Sequence, residues 1–209
     1  MPIVEEANLK ELIVTKQISA ISIDTSIFDQ KRNNLRGGVL GRMQQFLDND
    51  FDFILSETIH KEVCSHLRRD LEEAYTSVNK SIRSALHIWK IEGIKREDIV
   101  AQIFGDVSVG QSAETKVSEF CALTGCIVID DMQHANAKSI FSAYFEGDPP
   151  FGAGKKKSEF PDAFALSSLE NYAETNNIKI LITSTDSDWK KYCENSERLY
   201  FIDNLETAL

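Results

Sequence analysis

Two apolar runs, each ended by an aspartate, organise the chain. The stretch "QISAISIDTSIF" (17–28) carries isoleucines at 18, 21 and 23 with small residues between them, which predicts a strand buried on both faces and stopping at Asp24. "IKILITST" (178–185) reads the same way and stops at Asp186. "FDFILS" (51–56) predicts a second, shorter strand, and a long stripe follows it. Ile59, Val63, Leu67, Leu71, Tyr75, Val78, Ile82, Leu86 and Trp89 recur every three or four residues, with no Gly or Pro from 57 to 92. That exceeds an ordinary globular helix, so a protruding antiparallel pair or an insertion is expected, with "IEGIKREDIVAQIFGD" as its return.

The remaining pattern predicts helices at 33–49, at 112–125 closed by Gly125, at 132–147 closed by Gly147, and at 161–177 with Pro161 in the first turn. "DWKKYCENSE" predicts a short helix, while "CIVIDD" and "LYFIDN" are expected to be extended. Strands alternating with helices favour an open, mainly parallel α/β sheet. In such sheets ligands bind beyond the carboxyl ends of the strands.

Composition narrows this picture. The 209 residues suit one domain with an elaboration, and 42% hydrophobic residues allow a sizeable core. The four cysteines (64, 121, 126, 193) form no CxxC pair or zinc spacing and are expected to be reduced core thiols of a cytoplasmic protein. The opening "MPIVEEANLKEL" lacks the apolar stretch of a signal peptide, and no apolar run is long enough to span a bilayer, so no membrane partner is expected. The net charge of −10 runs against general electrostatic binding of nucleic acid. Either nucleic acid is not the ligand, the basic contact is local, or part of the acid excess is a site neutralised by metal.

"GAGKKKSEFPDAFAL" (152–166) concentrates that question. A phosphate loop of the G-x-x-x-x-G-K-[ST] kind would need glycine at Pro149 and a hydroxyl at Lys156, and no strand precedes it, so that reading fails. A dehalogenase-type D-x-D-x-T nucleophile fails at Ser22 and Ser26. Carboxylates remain. Asp24 and Asp186 end strands, Asp162 opens a helix, and Glu62 lies about two turns into the helix after the second strand. Each has a structural alternative, as an N-cap, a helix-dipole partner or a solvated face. In a parallel sheet, however, they converge on one edge, where bare carboxylates repel and a hard cation such as Mg²⁺ resolves the repulsion. The substrate class that needs such a site is a phosphodiester, with the lysines serving its backbone. The flanking Thr25, Ser26, Thr185 and Ser187 read as hydrogen-bonding supports, and the histidines show no ligand spacing.

Together, "ISIDTSIF", "ILSETIHKEV", "FPDAFALSSL" and "ITSTDSDW" resemble the PIN-domain nucleases, and "FEGDPPFGAGKKKSEFPDAFAL" looks like a bacterial PIN-like subgroup. The resemblance covers about 20–205. It implies a Rossmann-like three-layer α/β/α domain with a mainly parallel central sheet, spanning 1–209 as one unit with a helical insertion or extension at about 65–110. It implies an endonuclease acting on RNA, or less often DNA, with Mg²⁺ or Mn²⁺. Carried over, Asp24, Glu62, Asp162 and Asp186 hold the metal, and Asp188 is a fifth member or a support. Thr25, Lys155, Lys156 and Lys157 contact substrate, and Glu159 either joins the site or caps the helix. An antitoxin-like protein partner and a homodimer are compatible with the family. The alternative is a catalytically silent PIN-like module that binds nucleic acid or a protein.

Overall fold

The computed structural model describes residues 6–105, 108–152 and 158–209. Lys155, Lys156 and Lys157 fall outside the described residues. The expected α/β sheet is present and wholly parallel. Its strands are β1 (Ala20–Ile23), β2 (Asp52–Ser56), β3 (Ile127–Ile129), β4 (Ile180–Thr183) and β5 (Leu199–Ile202), in the order β3-β2-β1-β4-β5.

The central strands β1 and β4 are buried at every position, as their unbroken Ile-rich runs demand of strands covered on both faces. The edge strand β3 leaves Ile127 and Val128 exposed. The chain moves outward from β1 to β2 and β3, then returns to the other side of β1 for β4 and β5. The reversal lies between β1 and β4, the place where open α/β sheets open a crevice at their carboxyl edge.

Helices pack on this sheet. They are α1 (Glu6–Val14), α2 (Thr25–Gln30), α3 (Gly38–Gly41), α4 (Glu57–Ile88), α5 (Arg96–Phe104), α6 (Val109–Thr124), α7 (Asp131–His134), α8 (Ala137–Glu146), α9 (Phe160–Thr175), α10 (Ser187–Glu194) and α11 (Leu205–Ala208). Of these, α9 is the innermost. Ala163, Ala165, Leu166, Ser167, Ser168, Leu169 and Ala173 are all buried, and their small side chains let the helix lie close to its neighbours.

The long helix α4 starts sharply because Ser56 caps it, its Oγ accepting from the Ile59 N–H at 3.2 Å. Ile59, Val63 and Leu67 of its stripe are buried in the core, and the half-buried Leu71 packs against it. Beyond them the helix runs outward against α5, with Tyr75 and Phe104 packed edge-on at 5.0 Å between ring centroids.

Two expected helices are broken. Residues 33–49 form turns, the four-residue α3 and a 3-10 segment (Arg42–Phe46). Gly38 at φ +59° sits where a continuous helix is impossible. The expected helix 132–147 is split into α7 and α8, because the side chains of Asp130 and Asn136 each start a new helix by accepting from a backbone N–H. The first helix, α1, and the short α2 and α11 have no counterpart in the sequence pattern above.

Candidate functional site

Register builds the site. Along β1 and β4 the pairs run from Ala20↔Ile180 to Ile23↔Thr183, so the next residues, Asp24 and Ser184, stand side by side at the carboxyl edge. The Asp24 N–H donates to the Thr183 carbonyl at 2.9 Å, which extends the ladder by one bond. Asp24 is 5% exposed and its Oδ2 accepts from the Ser26 hydroxyl and, at 2.7 Å, from the Ser184 hydroxyl. Burial raises its proton affinity above the ordinary aspartate value, and the two hydroxyls oppose that rise.

Glu62 approaches from α4. Its Oε2 accepts from the Thr25 hydroxyl at 2.8 Å, so the residue after Asp24 orients the glutamate across the crevice. Burial raises the Glu62 proton affinity too, Thr25 opposes it, and the charge of Asp24 adds to it. Asp162 arrives in the first turn of α9, after Pro161. Its Oδ1 accepts from the Trp189 indole N–H at 2.7 Å. Burial, and then the charges of Asp24, Glu62 and Glu159, push its pKa up to about 7 against the indole's opposing bond. Asp24, Glu62 and Asp162 therefore share one crevice and feel one another's charge.

Asp186 is placed differently. It caps α10, its Oδ1 accepting from the Asp188 N–H, while its own N–H donates to Ser184 Oγ at 2.9 Å. The Ser184 hydroxyl thus ties the start of α10 to Asp24. Asp188 holds Lys191 at 2.7 Å. Glu159 occupies the N-cap position of α9 without a side-chain cap bond and accepts from the Ser158 hydroxyl at 2.9 Å.

The pattern of sequence did not single out three residues that shape the site. Trp189 is 1% exposed and reaches Asp162 across 27 residues of chain. Ser184 is fully buried. Asp131 is 5% exposed, its Oδ2 accepts from the Thr58 N–H at 2.7 Å, and its Oδ1 has no hydrogen-bonding partner among the described residues. The doubled aspartate of "CIVIDD" repeats the strand-then-aspartate pattern of Asp24 and Asp186, and that was its signal.

Among the described residues, Asp24, Glu62, Asp162 and the hydroxyls beside them offer oxygen donors, the chemistry that hard divalent cations select. Glu62 Oε1 and Asp162 Oδ2 receive no hydrogen bond from the described residues, while the other oxygen of each is held by a neighbour. Among the described residues no group of three or more His, Cys, Asp or Glu side chains is arranged to hold a metal ion as it stands.

The indole is the testable support. Trp189→Phe keeps an aromatic body but removes the N–H that favours the ionised Asp162. Where Asp162 shares in holding a divalent cation, affinity read by isothermal titration is expected to fall about 10-fold or more. Unchanged affinity would detach Trp189 from the site.

A family model described as PIN domain matches residues 21–189. Searches of curated proteins and of solved structures return no significant match. No helix among the described residues is long and apolar enough to cross a membrane.

Proposed function

The chain belongs to the PIN domain family, and from that premise we propose that it is a metal-dependent endonuclease that hydrolyses phosphodiester bonds in RNA. PIN domains are generally nucleases and typically use divalent metals. The observation that carries the reading for this chain is the electrostatic coupling of Asp24, Glu62 and Asp162 at the carboxyl edge of β1 and β4. Burial raises the proton affinity of all three, and neighbouring carboxylate charge raises that of Glu62 and Asp162 further, which is costly to a fold that does not use them.

A Mg²⁺ or Mn²⁺ ion, when bound, supplies Lewis acidity to the phosphodiester and to its attacking water. The chain supplies the rest. Asp24 is the fixed donor, pinned by the Ser26 and Ser184 hydroxyls so that its orientation costs nothing on binding. Asp162 and Glu62 offer Oδ2 and Oε1, with Trp189 and Thr25 holding the opposite oxygens. Asp186 acts as a further ligand, or stiffens the edge through Ser184, with Asp188 in support. Glu62 also orients the water, and Thr25 contributes by orienting Glu62. Lys155, Lys156 and Lys157 neutralise the phosphate backbone, a local basic contact in a chain of net charge −10. Glu159 tunes Asp162 through its charge. The motif around these lysines marks a PIN-like subgroup, and the whole of 1–209 acts as one nuclease unit with a helical insertion at about 65–110.

The test is a cleavage panel. Single-stranded RNA, structured RNA and DNA are each incubated with Mg²⁺ or Mn²⁺, beside the Asp162→Asn variant. Cleavage of RNA by the wild type that is abolished by a chelator and lowered in the variant by about 100-fold is the expected result. Binding of nucleic acid without cleavage of any substrate would instead establish a catalytically silent module.

A further inference from the structure

Apart from the acidic residues, where α6 packs on α4, lies a second cluster of reactive side chains. Helix α6 ends at Gly125, which takes the left-handed conformation at φ +66° and ψ 25°. The carbonyl of Cys121 accepts from the Gly125 N–H and, at 2.9 Å, from the Cys126 N–H. This six-residue closure is the one that brings the fourth residue from the helix end against the second residue beyond it. Those two side chains are ordinarily apolar and pack on each other. Here both are cysteines, so the backbone closure sets the two thiols side by side. His60 of α4, the helix that packs on α6, neighbours Cys121, and Cys64, one turn farther along α4, lies within electrostatic reach. Cys121 and Cys126 are half-buried rather than sealed, whereas Cys193 is fully buried elsewhere in the core.

We propose that Cys121 and Cys126 form a peroxide-reactive dithiol that closes reversibly into an intramolecular disulfide. The substrate is a hydroperoxide. The Cys121 sulfur, as thiolate, attacks one peroxide oxygen; an S–O bond forms, the O–O bond breaks, and the leaving oxygen takes up a proton and departs as water or alcohol. Cys121 is then a sulfenic acid. The Cys126 sulfur attacks the Cys121 sulfur; the S–S bond forms, the S–O bond breaks, and the released hydroxide leaves as water with the Cys126 proton. Two thiols lose two electrons in all, and the hydroperoxide is reduced to an alcohol, or to water, plus one further water. A dithiol reductant reverses the closure by thiol–disulfide exchange.

The division of roles follows from the surroundings. The neighbouring Cys126 thiol lowers the proton affinity of Cys121 against the effect of its burial. The neighbouring Cys121 and burial raise that of Cys126. Cys121 is thus the attacking sulfur and Cys126 the resolving one, the pairing found in reversible thiol sensors. Cys64 is the weaker resolving candidate, because it sits on a separate helix, whereas the backbone between Cys121 and Cys126 is already closed by hydrogen bonds. The inference is independent of the nuclease reading, since it uses none of the residues of the acidic crevice.

Peptide mapping decides it. The reduced full-length protein is treated with a small excess of hydrogen peroxide, alkylated, and digested with trypsin, which leaves both cysteines on the single peptide 117–138. The expected result is loss of two of the four alkylatable thiols. That peptide should be lighter by about 2 Da than its unalkylated reduced form and restored by dithiothreitol. Cys126→Ser should trap Cys121 as a sulfenic acid that reacts with dimedone, and Cys64→Ser should leave the internal disulfide intact. An unmodified Cys121, a disulfide to Cys64, or oxidation no faster at Cys121 than at Cys193 would overturn the proposal.

Discussion

Asp24→Asn is expected to lower metal-dependent phosphodiester cleavage by about 100-fold or more while leaving the thermal midpoint unchanged or higher. Asp24 stands at the junction of several contacts that build the crevice. It extends the β1–β4 ladder, starts α2, and receives the hydroxyls of Ser26 and Ser184. Asparagine retains an acceptor oxygen for those hydroxyls and is a favoured residue at a helix start, so the local structure has no reason to change. The substitution removes only the charge. Burial raises the proton affinity of that charge, so it costs the folded state free energy that a neutral amide does not. Cleavage assays beside a thermal melt separate the outcomes. Wild-type cleavage in Mg²⁺ would sink the assignment of the crevice, and lost cleavage with a collapsed midpoint would make Asp24 a structural residue.

The second large effect links protons to the cation. The pKa of Asp162 is about 7 in the folded chain against the ordinary 3.8. Between those values the folded state holds a proton that the unfolded state has released. This stabilisation is fully present below about 3.8 and is lost as pH rises through about 7. Without divalent ions, the wild type is therefore expected to lose stability relative to Asp162→Asn between pH 6 and pH 8. The raised proton affinities of Asp24 and Glu62 act in the same direction. A bound cation competes with these protons, so added Mn²⁺ should raise the midpoint more at pH 8 than at pH 6. At a hundredfold excess over the dissociation constant the gain is about 2.7 kcal/mol, or roughly 5–10 °C for a chain of this size. Differential scanning fluorimetry of both proteins across pH reads all of this. A rise of equal size in Asp162→Asn, or one that does not grow with pH, would remove Asp162 from the cation's ligands.

What the sequence showed and hid has a physical pattern. Strands β1, β2 and β4 were legible because burial on both faces demands continuous apolar runs, and their end residues, Asp24, Ser56 and the Thr183–Asp186 segment, followed. Glu62 was legible because Ser56 fixes where α4 begins, so its offset along the helix is determined. Local competition was harder to read. The "TSIF" after Asp24 continues an apolar rhythm that fits strand or helix, and it forms α2. Asn136 and Asp130 capture backbone donors and break what looks like one helix into α7 and α8. Contacts between distant segments left no trace in any window. The indole of Trp189 on Asp162 and the Ser184 hydroxyl on Asp24 exist only once α10 and β4 have packed. Asp186, read as an equal of Asp24, spends one oxygen on capping α10.

The tryptophans of this chain give it two separate optical windows. Its sequence contains two tryptophans. Trp189 is 1% exposed with its indole on the Asp162 carboxylate, and Trp89, just past the outer end of α4, is 77% exposed. The 27 residues from Glu62 to Trp89 correspond to about 40 Å along a helix. The emission of one indole therefore reads a buried position beside a carboxylate and that of the other reads water, too far apart to disturb each other through contact. With Trp89 replaced by phenylalanine, intrinsic fluorescence becomes a label-free report on the Asp162 carboxylate alone; with Trp189 replaced, it reports on the outer end of α4.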